Sequence, residues 1–249
     1  TLFKVGAPDA PTELRTEAFP NSTTLYAWNI NNPTTGIDHE FVGNIPVALT
    51  GALGTAANHL GNTAACDFDG TNDFFSSSDA AFAFTGSFSI GGWFHRSSWA
   101  APGGSQASWI TRNLAAGGGW HLAQDGSSGE LAFVTQDGVT TGLVLFDITG
   151  LVAGWHHFAA TLNFNVELKL YVDGVLENTV ADTSTPYGTA GILEIGAFRG
   201  GADKFTGRIA DVFVHDGTVL SGPEILIIKE FGVVAAAVGN PGSLLMFEF

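Results

Sequence analysis

Five Asp-Gly dipeptides, at 69–70, 125–126, 137–138, 173–174 and 216–217, punctuate this chain, and apolar and polar residues alternate in the segments between them. The dipeptide accepts the positive φ angles that tight hairpins need. A period of two sends one face of each segment into a core and the other towards solvent. Together these features predict an antiparallel all-β fold. A first strand is read over 25–30 and a short one near 45–49. Clearer ones follow at 88–94, 108–111, 120–123, 130–134, 155–162, 167–172, 175–180, 192–196 and 208–215. One stretch, 221–230, reads as a helix. Ser221 can cap it, Pro223 suits its first turn, and Glu224 supplies the capping-box acid.

Composition narrows the functions. With 249 residues, 45% of them hydrophobic, the chain can bury the core of one large sandwich. Nine Lys plus Arg against a net charge of −15 leave no basic cluster, so no nucleic-acid partner is expected. Lys229 and Glu230 interrupt the most apolar region, and no run reaches the ~18 residues of a membrane span, so no membrane insertion is expected. Cys66 is the single cysteine, which rules out an intrachain disulfide; a buried, inert thiol is expected. Thr1-Leu2-Phe3-Lys4 lacks a signal-peptide pattern, which fits a mature secreted form or a chain trimmed of its initiator Met. Pro8, Pro11 and Pro20 mark residues 1–20 as an extended arm. Residues 21–232 form the domain. The apolar segment 233–249 is expected to pack on its own sheet or on a neighbouring subunit.

Six motifs in order then resemble one family, the laminin-G-like, concanavalin-A-like jelly rolls. Cys66-Asp67-Phe68-Asp69-Gly70-Thr71-Asn72-Asp73-Phe74-Phe75 is similar to its F-D-G-x-x-D run, and Phe88 to Phe94 to the strand that follows. Trp155-His156-His157-Phe158-Ala159, Leu170-Tyr171-Val172-Asp173-Gly174, Phe205 to Val212, and Leu220-Ser221 before Glu224-Ile225 complete the set. The resemblance implies an all-β, two-sheet antiparallel jelly-roll sandwich of about six or seven strands per sheet, with one short C-terminal helix. Its members range from lectins and adhesion modules to glycosidases and virus surface proteins, so fold alone does not fix function.

Catalytic relatives carry Glu-x-Asp-x-x-Glu on one strand, where alternation turns all three carboxylates to one face. No Glu in this chain starts that pattern. The chain is therefore expected not to be an enzyme, and a polysaccharide hydrolase is the remote alternative. His156 and His157 are neighbours on a strand and point to opposite faces, so one shared metal ion is not expected. Trp28, Trp93, Trp155 and Trp120 are expected in the core. Trp99 lies in a loop by composition and Trp109 follows it. A glycan is expected near Trp99, Tyr187 and Arg199, with Arg112 and Asn113 as polar partners. Calcium is the one cofactor considered, with Asp69, Asp73 and Asp211 as oxygen ligands. Ala210 stands where many relatives carry Asp, which removes one ligand.

Two functions follow. The first is a glycan-binding or adhesion module, displayed on a cell exterior or phage particle and engaging a glycan or host-surface receptor. The second is a structural virion protein, a capsid decoration or tail-associated subunit, whose partners are other protein subunits. Both place the protein outside the cell or on a virion surface.

Overall fold

The computed structural model describes residues 25–28, 37–39, 46–51, 54–61, 65–78, 82, 84, 86–103, 107–113, 118–184, 191–198 and 202–231. Alternation becomes two antiparallel sheets packed face to face, with strands numbered along the chain. The first sheet runs β14 (Val175–Ala181), β13 (Glu167–Val172), β12 (Gly154–Asn163), β7 (Phe88–Arg96), β16 (Thr206–Asp216), β5 (Ala65–Asp69) and β4 (Gly54–Ala56), and β1 (Leu25–Trp28) also pairs with β16. The second runs β11 (Thr141–Asp147), β10 (Glu130–Gln136), β9 (Gly119–Gln124), β8 (Ala107–Asn113), β15 (Ile192–Ile195), β6 (Phe74–Ser77), β3 (Pro46–Thr50) and β2 (Ile37–His39). Among the described residues each sheet thus has eight strands, one or two more than the resemblance implied.

Every second residue of the central strands faces the space between the sheets. From the first come Phe88, Ile90, Phe94, Phe158, Ala160, Leu162 and Ile209; from the second, Leu122, Phe133, Val144, Leu193 and Ile195. All are essentially inaccessible to water. Cys66 is buried among them, as expected.

The helix α1 (Gly222–Phe231) starts one residue later than read from the sequence. Half of its predicted box is formed: the Ser221 backbone N–H donates to Glu224 Oε2 at 2.7 Å, and the Ser221 hydroxyl donates to the same oxygen at 2.6 Å. It lies on the outer face of the first sheet, where Ile225 and Ile228 meet Ala159, Tyr171 and Phe213. Gly91 permits that layer, because a Cβ there would stand 2.6 Å from the Phe158 carbonyl and 2.7 Å from the Phe213 ring. No described helix is long and apolar enough to cross a membrane.

Of the Asp-Gly turns, the one at 173–174 has both residues at positive φ, 50° and 82°. It is the tight form that best suits a two-residue hairpin, and it joins β13 to β14. The two sheets are tied along one flank, where Asn178 of β14 donates through Nδ2 to the Leu145 carbonyl of β11 at 2.8 Å. The arm 1–20 and the segment 233–249 lie outside the described residues, so their expected roles are not addressed by this structure.

Candidate functional site

The half of the first sheet that α1 leaves uncovered carries an aromatic and charged patch. Its origin is strand parity. On β7, Phe94 faces the interior, so Trp93 and His95 face out. On β12, Phe158 faces in, so Trp155 and His157 face out. On β16, Ile209 faces in, so Arg208 and Ala210 face out, and Arg208 pairs with Asp67 of β5. In register, Trp155 is opposite His95, His95 opposite Arg208, and Arg208 opposite Asp67, giving one row across four strands.

A turn over residues 57–61 closes one side of the patch. From it, His59 stacks on Trp93 with ring centroids 4.0 Å apart and planes within 6°. Trp155 stands edge-on to His59 at 6.3 Å and to His95 at 5.3 Å. Trp93, His95 and Trp155 are each half-buried, so their rings remain reachable from solvent. Arg208 Nε lies 3.7 Å from Asp67 Oδ1, and both side chains are well exposed. Such a surface ion pair adds little to stability.

Asp211 joins the patch through a bulge. The β16–β7 register shifts between Ala210 and Phe213. Asp211 is the extra residue, at φ 48°, a conformation that non-glycine residues adopt rarely and mostly at turns or functional positions. The carboxylate reaches to 3.6 Å from His59 Nδ1. That is too long for a hydrogen bond. Burial also pushes the His59 imidazole down to about 4, so it is neutral at pH 7 and the contact is not an ion pair. His95 is shifted down as well, first by burial and then by the Arg208 charge. His157 lies beside Trp93, its register partner, fully buried, and burial pushes it down to about 3. The three imidazoles of the patch are therefore uncharged near neutrality.

The residues expected to hold a ligand are arranged differently. Trp99 follows β7 outside any strand, as expected, but its ring is 1% exposed. It turns inward and plugs the end of the sandwich against Trp109, Phe158 and His156. The buried Gln124 amide holds this segment in place, donating to the carbonyls of Trp99 at 2.7 Å and Gly129 at 2.9 Å. Exposure of Trp99 is therefore corrected, and Trp109 is fully buried beside it. Arg112 is corrected too. It pairs in register with Trp120 and Leu193, both core residues, and is 1% exposed. It also sits five residues along β8 from Ala107, the partner of Gln124, so roughly 17 Å separates it from the Trp99 plug. Tyr187, Arg199 and the Asn113 side chain lie outside the described residues, as does the Trp28 side chain.

Trp93 and Trp155 were expected in the core. They lie instead on the outer face, and parity against Phe94 and Phe158 was the signal that would have placed them. Trp120 is buried, as expected. His156 and His157 do point to opposite faces. His156 donates from Nδ1 to Asp173 Oδ2, 2.7 Å away, and His157 enters the layer under α1.

The three acids considered for calcium do not converge. Asp69 Oδ1 accepts the Thr71 amide at 2.6 Å, and that bond is the main reason its carboxyl lies below the usual range. Asp73 Oδ2 accepts the Asp69 amide at 3.2 Å. Asp211 stands five residues beyond Thr206, the partner of Asp69, or roughly 17 Å away along β16. Among the described residues, no group of three His, Cys, Asp or Glu side chains could hold a metal ion.

A family model described as the concanavalin A-like lectin/glucanases superfamily matches residues 69–226. The chain belongs to that superfamily. The match covers β7, β12 and β16 of the patch but not Asp67 or the 57–61 turn, and it ends within α1. No curated protein matches the chain. Similar solved structures include the receptor-binding domain of botulinum neurotoxin C/D mosaic serotype, with 18% identity, TM-score 0.64, and 82% of this chain and 50% of that one covered. A botulinum neurotoxin type C structure, described by cell entry dependent on two ganglioside molecules, has 17% identity and TM-score 0.65, over 84% of this chain and 50% of that one. The serotype D ligand-binding domain in complex with N-acetylneuraminic acid has 18% identity and TM-score 0.65, over 82% and 50%. At these identities the likeness is one of fold, and the chain spans about half the length of each.

Proposed function

We propose that this chain is a non-catalytic glycan-binding module acting outside the cell, and that the patch around Trp93 and Trp155 is its contact surface. One observation carries the reading: the Trp155–His95–Arg208–Asp67 row beside the Trp93–His59 stack, on a strand face with no other evident task. Binding sites pair an apolar, aromatic floor with a few placed polar groups. A sugar offers the complement, a C–H face to lie on the rings and hydroxyls for the guanidinium and the carboxylates. Rigid two-torsion aromatics lose little entropy when they do this. Support also comes from the similar chains, which are named as receptor-binding or ligand-binding domains, one of them holding a sialic acid. The lack of a Glu-x-Asp-x-x-Glu strand favours binding over hydrolysis.

The test is a glycan array or affinity electrophoresis in soluble polysaccharides, with wild type, Trp93→Ala and Trp155→Ala. The expected outcome is saturable binding that either substitution weakens by about tenfold or more, since 1.4 kcal/mol is one decade. Binding that survives both substitutions in folded protein would remove the patch from the reading.

A further inference from the structure

We infer that the patch selects uncharged sugars and turns away glycans that end in a carboxylate or a sulfate. The inference rests on the glycan reading and specifies its ligand. Four kinds of group decide it: the rings, one guanidinium, two carboxylates, and imidazoles that carry no charge.

Arg208 is the single cation that the strand register brings into the row. An anionic sugar would need that guanidinium, because Arg holds carboxylate and sulfate groups through paired N–H donors. Asp67 already stands beside it, 3.7 Å from Nε, on the neighbouring strand. Asp211 supplies a second negative charge next to His59. Among the described residues of the row and its bulge, Asp67, Asp211 and Arg208 sum to −1. An incoming carboxylate meets two like charges for one opposite charge. Like-charge juxtaposition of this kind is the usual means of rejecting wrong partners. The far field acts in the same direction, since the whole chain carries −15.

An uncharged sugar meets no such opposition. Its hydroxyls can donate to Asp67 and accept from Arg208 in the same plane, so the existing ion pair becomes a ready-made donor–acceptor couple. The rings then take the apolar face of the sugar.

The experiment uses the chain 1–249 on neutral glycans and on the same glycans capped with sialic acid or sulfate, with wild type and Asp67→Asn compared. Asp67 is exposed, so Asp67→Asn keeps the fold and the shape while freeing Arg208 from its neighbour. Wild type is expected to favour each neutral glycan over its capped form by about tenfold or more, and Asp67→Asn to narrow that ratio by about tenfold. Equal or tighter binding of the capped glycans by wild type overturns the inference and leaves the glycan reading standing. A ratio unchanged in Asp67→Asn also overturns it, because the carboxylate is then not the discriminating charge. Binding to none of the glycans, by protein with intact thermal unfolding, overturns the glycan reading itself.

Discussion

Individual side chains on the outer face of the first sheet carry the strongest physical constraints. His157 is buried completely, beside Trp93 and nearly parallel to Phe213, and neither of its ring nitrogens has a hydrogen-bond partner among the described residues. His59 is largely buried as well. Both take up protons less readily folded than unfolded, at about 3 and about 4 against an ordinary value of 6.5. The unfolded chain therefore binds more protons as pH falls below 6.5, and stability is lost in that direction. Each histidine contributes a slope of up to about 1.4 kcal/mol per pH unit between 6.5 and its folded value. His156 acts with opposite sign. Its hydrogen bond to Asp173 raises its proton affinity, so that contribution is complete at low pH and fades as pH rises through the raised value. Urea unfolding from pH 7 to pH 5 should show the loss, and His157→Phe should flatten it by about one histidine's slope.

Elements show what alternation reveals and where it stops. Helix α1 and its Ser221–Glu224 contact were legible because caps are local chemistry. The strands 167–172 and 175–180 were legible because an Asp-Gly turn with two positive φ angles joins them. Strand β11, Thr141–Asp147, was not read, because its apolar run Leu143 to Phe146 does not alternate with polar residues; Leu143 faces solvent while Gly142 and Val144 are buried. Trp99 was misplaced for a different reason. A Ser-, Ala- and Gly-rich stretch has the composition of an exposed loop, yet Gln124, more than twenty residues on, satisfies its carbonyls and folds it inward. No local pattern encodes a partner at that separation. Trp99→Ala should accordingly behave as a core truncation, costing about 3–5 kcal/mol in unfolding free energy. It should leave glycan affinity within about twofold, because the ring lies on the interior side of the sheet whose outer face bears the patch.

At the scale of the whole molecule, the order of the six motifs identified the family more firmly than any one of them. The second layer on the first sheet was half visible, because the helix was foreseen but not the surface it covers. That surface divides in two, with α1 on Phe213 and Tyr171 and the open patch on Trp93 and Trp155. Net charge is the other global property. At −15 the folded chain repels itself, and counter-ions relieve this within a Debye length of about 8 Å at physiological salt. The unfolding temperature should therefore rise by a few °C as NaCl goes from about 10 to about 150 mM, which scanning calorimetry can follow.

The tie between Asn178 and the Leu145 carbonyl has its own consequence. It makes one flank of the sandwich a spine and leaves β4 and β2 as the fore-edge, so the two sheets should part like the covers of a book. Amide protons near the spine, in β11 and β14, should then exchange later than those of the fore-edge strands, and self-association under stress should begin where the covers open.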